Sequence, residues 1–249
     1  MGWSTRSHKH LLTACGWVIA AIHRLERLVS QMEYERAKAE LSRHAGVAED
    51  YYDEGFIGCL RPYSGIRAES FHSVIEALLS VGSVFSATNT LERSIAESVI
   101  TITVTARRWG VEENGMLVRN NLISSDERMQ LKRWIEIIER MALDLLNGQK
   151  PHETIHGYCK YVTEFGWGGN ATFFIPLLGS AIETDEFGDR LEGHCSAVVR
   201  LGTTAIAISE SLLLARRRKW TWYEPHDRCA AEMLGYIDEA LAAIGTPLK

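Results

Sequence analysis

Residues 11–32 read LLTACGWVIAAIHRLERLVSQM. Leu11, Cys15, Val18, Ile22, Leu25, Val29 and Met32 return at alternating intervals of four and three, which keeps them on one face of an α-helix for about three heptads. His23, Arg24, Glu26, Arg27 and Gln31 occupy the other faces and suit water. Propensity alone stabilises such a helix little, so its stripe must be buried against other helices. We expect this helix to run to about His44.

The same spacing recurs down the chain. Phe71, Val74, Leu78, Val81 and Phe85 mark a second helix, with Gly82 weakening its end. A third starts near Asn89 or Thr90, with Leu91, Ile95 and Ile102 in phase. Its stretch Val99–Val104 alternates β-branched residues and has strand character locally, but no other strand candidate exists to pair with it. Gly110 to Leu122 reads as a connector. Ser124 and Glu127 form a capping box that opens a helix carrying Leu131, Trp134, Ile138, Met141 and Leu145 and stopping at Asn147-Gly148. Pro151 suits the first position of the next helix, which buries Ile155, Tyr158, Val162 and Phe165. Ala171 to Ile182 is apolar and is expected to break in two at Pro176. Asp189 is the expected cap of a second long helix striped by Leu191, His194, Val198, Leu201, Ala205, Ile208 and Leu212. The last helix carries Ala230, Leu234, Ile237, Leu241 and Ile244. These features predict an all-α protein: a single-domain bundle of about eight helices, two of them long, over residues 1–249 without a clear internal boundary.

Composition narrows the function class. A formal charge of -5 over 249 residues argues against a general nucleic-acid binder. Five cysteines, Cys15, Cys59, Cys159, Cys195 and Cys229, are scattered and mostly inside helical stripes. That pattern suits buried free thiols in a reducing compartment. Arg6 and Lys9 precede an apolar run as in a signal peptide, but the run continues into a charged helix face. Leu12-Thr13-Ala14-Cys15 has too few apolar residues before it for a lipoprotein signal, and Arg6 stands where myristoylation of Gly2 wants Ser or Thr. No uninterrupted apolar run approaches the ~18 residues of a membrane span. The expectation is a soluble, cytoplasmic protein with no membrane partner, and no cofactor motif is present.

The loop from Ala45 to Gly65 is long for a compact domain, and such loops tend to be functional. It carries Glu49, Asp50, Tyr51, Tyr52, Asp53 and Glu54. Aromatic anchors dominate protein interfaces, so Tyr51, Tyr52, Asp53 and Glu54 are the candidate partner-binding residues, and their charge suits a basic protein, as in an inhibitor of the immunity type. A homo-oligomer or hetero-complex is the expected state.

Other motifs offer chemistry. His152-Glu153-Thr154-Ile155-His156 spaces two histidines four apart, able to share a zinc with the glutamate as general base of a hydrolase. Its place after Pro151 is a helix start, not the interior where such motifs work. Candidate third ligands are Glu164, Glu183 and Glu186. Glu69/His72 and Glu153/His156 are two Glu-x-x-His pairs of the kind di-iron bundles use, with Glu35 and Glu97 or Glu113 as further ligands. His156/Cys159 and His226/Cys229 share a spacing that would suit zinc if the pairs met. His194, on an apolar stripe, reads as a hydrogen-bonded core histidine. Arg216, Arg217, Arg218 and Lys219, followed by Trp220, Trp222 and Tyr223, could hold anions or nucleic acid, or could serve the helix dipole.

Arg67 and His72 form an Arg-x4-His element that resembles that of the HEPN ribonucleases, although Ala68 stands where that family tends to have a polar residue. The resemblance implies an all-helical fold and would place Arg67 and His72 at a dimer cleft, cleaving RNA through its 2′-hydroxyl.

Overall fold

Phe71 and Trp134 lie flat against each other, centroids 5.1 Å apart and planes 6° from parallel. Tyr158 and Tyr161 close around Phe71 at 6.0 and 5.0 Å, and Tyr158 stacks on Phe174 at 4.8 Å. Phe71, Trp134 and Tyr158 come from stripes read above, Tyr161 and Phe174 do not, and together the rings tie four helices into one core.

The computed structural model describes residues 33–47, 53–88, 91–168, 171–218 and 227–246. Among them no strand occurs, and the one extended pairing is an isolated bridge between Leu60 and Tyr63. In order the elements are α1 over 33–45, α2 Ala68–Thr88, α3 Arg93–Ile100, a π segment Thr101–Thr105, α4 Ala106–Gly110, α5 Met116–Arg119 and α6 Ser125–Leu146. After these come α7 Pro151–Thr154, α8 His156–Phe165, α9 Ala171–Thr184, α10 Leu191–Leu201, a 3-10 segment Gly202–Ile208, α11 Ser209–Arg217 and α12 Asp227–Ala243. The chain is all-α, as the periodicity requires. The stripe at 11–32, the helix start at Asn89 and Thr90, Tyr51 and Tyr52, and Lys219 to His226 lie outside the described residues.

α2 packs on α6, α10 on α8 and α12, and α9 on α11. One contiguous buried cluster joins Tyr34 of α1, Leu78 of α2, Ile138 of α6, Val198 of α10 and Leu241 of α12. The capping box at the start of α6 is present: Ser124 Oγ accepts from the Glu127 N–H, and Glu127 Oε2 accepts from the Ser124 N–H. Gly82 does not end α2. A Cβ there would fall 2.5 Å from Leu145 Cδ2, so the glycine lets α2 and α6 approach.

The stretch Val99–Val104 is helical throughout, as the lack of a partner strand led us to expect, and its β-branched residues sit largely in the π segment. Three local expectations need correction. The connector after Gly110 contains the short helix α5. Ala171–Thr184 is one helix with Pro176 inside it; proline there removes a single early backbone bond, which burial of Phe174, Leu178 and Ile182 outweighs. The expected second long helix is three pieces. Gly202 takes φ +56, a left-handed conformation open to glycine, and Ala205 inside the 3-10 segment is non-helical. A window within Leu191–Arg217 reaches mean hydropathy 1.5, enough by length and composition alone for a membrane span; Gly202 and Ala205 divide it.

The ring cluster and the cap differ in weight. Trp134→Ala should destabilise by about 3–5 kcal/mol and Ser124→Ala by about 1 kcal/mol, while Met129→Ala, 68% exposed, should leave the urea midpoint unchanged.

Candidate functional site

The His152–His156 pentad does not lie on one helix. Ile155 interrupts it, with ψ -8, so α7 is a single turn holding His152 and α8 begins at His156. The pentad therefore departs from a metalloprotease helix at its centre. Glu153 departs too: its Oε2 accepts from the Lys150 N–H at 2.7 Å, which makes it the capping group of α7.

The break brings a third histidine into play. His156 meets His194 of α10 edge to face, centroids 5.7 Å apart and planes at 84°. Gly193 makes this approach fit, since a Cβ there would stand 3.3 Å from His156 Cε1. His152 and His194 line one cleft of about 400 Å³ with Gln149, Asp185, Asp189 and Arg190. His156 lines an adjoining cleft of about 400 Å³ with Arg140, Asp144 and Arg190. Asp185 organises the turn between them, Oδ1 accepting from the Gly188 N–H at 2.9 Å and Oδ2 from the Arg190 N–H at 3.1 Å. This corrects the expectation that Asp189 caps α10: its N-cap is Arg190, without a side-chain cap bond. Arg190 Nη1 donates to the Glu153 carbonyl at 2.6 Å and so ties α10 to α7.

His194 is 2% exposed, and neither of its ring nitrogens has a hydrogen-bond partner among the described residues. The buried His152 Nε2 and His156 Nδ1 also lack one. The sequence reading of His194 as a hydrogen-bonded core residue is thus right about burial and wrong about satisfaction. Burial pushes His194 down to about 3, aided by His156 and Arg190, and pushes His156 down to about 4, aided by Lys160 and Arg190. His152 is also lowered by burial, with Glu153 opposing. Among the described residues, no three His, Cys, Asp or Glu side chains stand ready to hold a metal ion.

The other candidates are placed as follows. His72 is buried, its Nδ1 2.6 Å from the Tyr158 hydroxyl, and the Gly168 backbone lies against its ring. Arg67 points elsewhere and pairs with Glu54 at 2.8 Å. Glu164 pairs with Arg133 at 2.6 Å, Glu113 with Arg128 at 2.8 Å and Glu35 with Lys38 at 3.2 Å. Glu183 accepts from Ser211 Oγ at 2.6 Å, and Glu186 lines the His152 cleft. Cys59, Cys159 and Cys195 are buried free thiols, and Cys159 and Cys195 are pushed up by burial. Arg216 pairs with Asp238 at 2.6 Å. Arg218 donates to the carbonyls of Glu183 and Asp185. Arg217 is exposed. Asp53 and Glu54 are exposed, while Tyr51, Tyr52, Lys219 and His226 lie outside the described residues. Comparison with family models, curated proteins and solved structures finds no match to this chain.

The histidines set an acid limit on stability. Unfolded, each titrates near 6.5; folded, His156 and His194 stay neutral until about pH 4 and 3. The unfolded chain therefore binds protons first, so stability is full above pH ~6.5 and falls as pH drops toward 4. Each such histidine contributes a slope of about 1.4 kcal/mol per pH unit. Urea midpoints from pH 7.5 to 4.5 should show this slope, and His194→Leu should reduce it; an unchanged slope would contradict the assignment.

Proposed function

We propose that the protein is a non-enzymatic α-helical interaction protein that binds a basic protein through the loop between α1 and α2. The observation that supports this reading is how that loop is held. Phe56, Ile57, Cys59 and Leu60 are buried beneath it. The Phe56 N–H donates to His44 Nδ1 at 3.1 Å, and the Ile57 N–H to the His44 carbonyl at 3.0 Å. Tyr63 donates to Glu127 at 2.8 Å, and Ser70 Oγ to the Glu54 carbonyl at 2.6 Å. Asp53 and Glu54 sit on this fixed base with exposed side chains, directly after Tyr51 and Tyr52 in sequence. Residues 53–67, held in this way, lose little freedom on binding, which favours affinity.

The same geometry weakens two other readings. A zinc hydrolase needs Glu153 free to take a proton from water, and that carboxylate caps α7. A nucleic-acid surface at Arg216–Tyr223 needs free cations, whereas Arg216 and Arg218 bind within the fold.

Affinity capture from the native cell tests the proposal. A protein retained by the wild type should be lost with Asp53→Lys/Glu54→Lys and with Tyr51→Ala/Tyr52→Ala, and its retention should weaken as salt screens the acidic loop. Equal capture by all three chains would refute it. Mass measurement of the wild type alone shows whether the retained partner is a second copy.

A further inference from the structure

We propose that residues 11–32 continue α1 as one helix and pair, in parallel and in register, with the same segment of a second copy of this chain. This pairing does not involve the acidic loop. Spacing is its first support. Leu11, Cys15, Val18, Ile22, Leu25, Val29 and Met32 keep strict four-three intervals over three heptads, the pattern that lets two helices wind about each other with these side chains between them. Cys15, Ile22 and Val29 then take the a positions, and Leu11, Val18, Leu25 and Met32 the d positions. β-branched residues at a with leucine at d favour two parallel strands. Leu12, Ile19 and Leu28 flank the seam and add apolar area to it.

The described part of α1 is the second support. It begins at Glu33, and Tyr34, Ala37, Leu41 and Ala45 are buried. That side of the helix meets α3 and the residue before it: the Tyr34 hydroxyl and Lys38 Nζ each donate to the Glu92 carboxylate at 2.8 Å, and the hydroxyls of Ser42 and Ser98 stand 3.3 Å apart. Carried on from Met32, the four-three intervals reach Arg36, Ala39 and Arg43, which are all exposed. The two lines run about a third of a turn apart round the helix, so the face that meets α3 is not the face that bears the seam. From Trp17 to Ala45 there is neither glycine nor proline, so no local signal breaks the helix or turns it back on the body. The seam therefore needs a cover from another molecule, and a self-complementary stripe is met by the same stripe on an identical chain.

An isolated helix of this length is only marginally stable in water, so helix formation and pairing rise together with concentration. Parallel register sets Cys15 opposite Cys15 of the second copy at one height in the seam, whereas an antiparallel pair separates the two thiols.

Full-length protein at micromolar concentration is weighed by sedimentation equilibrium. The expected result is twice the chain mass, falling toward one chain on dilution with loss of helical circular dichroism. Ile22→Asp/Val29→Asp, which puts carboxylates into the seam, should leave a monomer that keeps the near-ultraviolet signal of the ring cluster around Trp134. His23→Ala/Arg27→Ala, on the other faces, should remain a dimer. So should Asp53→Lys/Glu54→Lys, which separates this pairing from binding by the loop. Diamide, which takes up the two electrons and two protons released, should join Cys15 Sγ to its counterpart; Cys15→Ser should abolish that covalent dimer and Cys229→Ser should not. A wild-type monomer at this concentration, a dimer that survives Ile22→Asp/Val29→Asp, or a dimer without the Cys15 link would overturn the proposal. So would a monomer that pellets with vesicles of phosphatidylserine and phosphatidylcholine until Ile22 and Val29 are replaced, since the stripe would then be a membrane-binding face.

Discussion

The contact between Phe71 and Trp134 carries the architecture. A parallel stack at 5.1 Å demands that α2 and α6 lie at one height and one distance, and Gly82 against Leu145 permits that distance. Tyr158 and Tyr161 then have one face left on Phe71, which sets α8, and Phe174 on Tyr158 sets α9. Aromatic pairs add about 0.5–1.5 kcal/mol each beyond burial, and their geometry excludes sliding that aliphatic side chains would tolerate. His72 belongs to the same lock: its bond to Tyr158 and the Gly168 backbone on its ring turn it inward. That is why the Arg67–His72 pair resembles a catalytic element in spacing while the two side chains face different surroundings.

Interruptions of helices give the molecule its concave features. The break at Ile155 separates α7 from α8, and the turn built on Asp185 aims the start of α10 at that break. Arg190 crosses it to reach the Glu153 carbonyl. Three histidines from three helices, α7, α8 and α10, thereby come near one another, where burial disfavours their charged form. The cost shows in acid, where the unfolded chain takes protons the folded one refuses. The acidic loop gains shape from buried residues within it: Phe56 and Leu60 hold it down, Asp53 is exposed, and Glu54, also exposed, pairs with Arg67.

Much of the fold was legible because burial on a helix repeats every three to four residues. The stripes of α2, α6 and α10 could be placed from spacing, that of α8 only in part, since Ile155 lies in the break before it and Phe165 is exposed; the Ser124–Glu127 box marked a helix start to the residue, since a cap depends on neighbours within one turn. Breaks were less legible. Pro176 looked like a stop, yet packing of Phe174, Leu178 and Ile182 carries the helix through it. The stripe from Leu191 to Leu212 read as one long helix, yet Gly202, at φ +56, turns the chain out of α10 into the 3-10 segment. Asp189 looked like a cap by position; Asp185 does the work by folding back on two backbone N–H groups.

The candidate site divides in the same way. His152, Glu153 and His156 stood out in sequence through their mutual spacing, a local property. His194 did not, because nothing within one turn of it signals a partner 38 residues earlier; at most Gly193 beside it hinted at close approach. Sequence alone determined the helical class, the Ser124–Glu127 cap and the acidic character of the loop, since those follow from periodicity and from bonds between near neighbours. Tertiary structure decided which histidines meet, which carboxylates are spent on capping and pairing, and which basic groups are held within the fold. Those depend on distances between segments far apart in the chain, and such distances are set by how the buried rings pack.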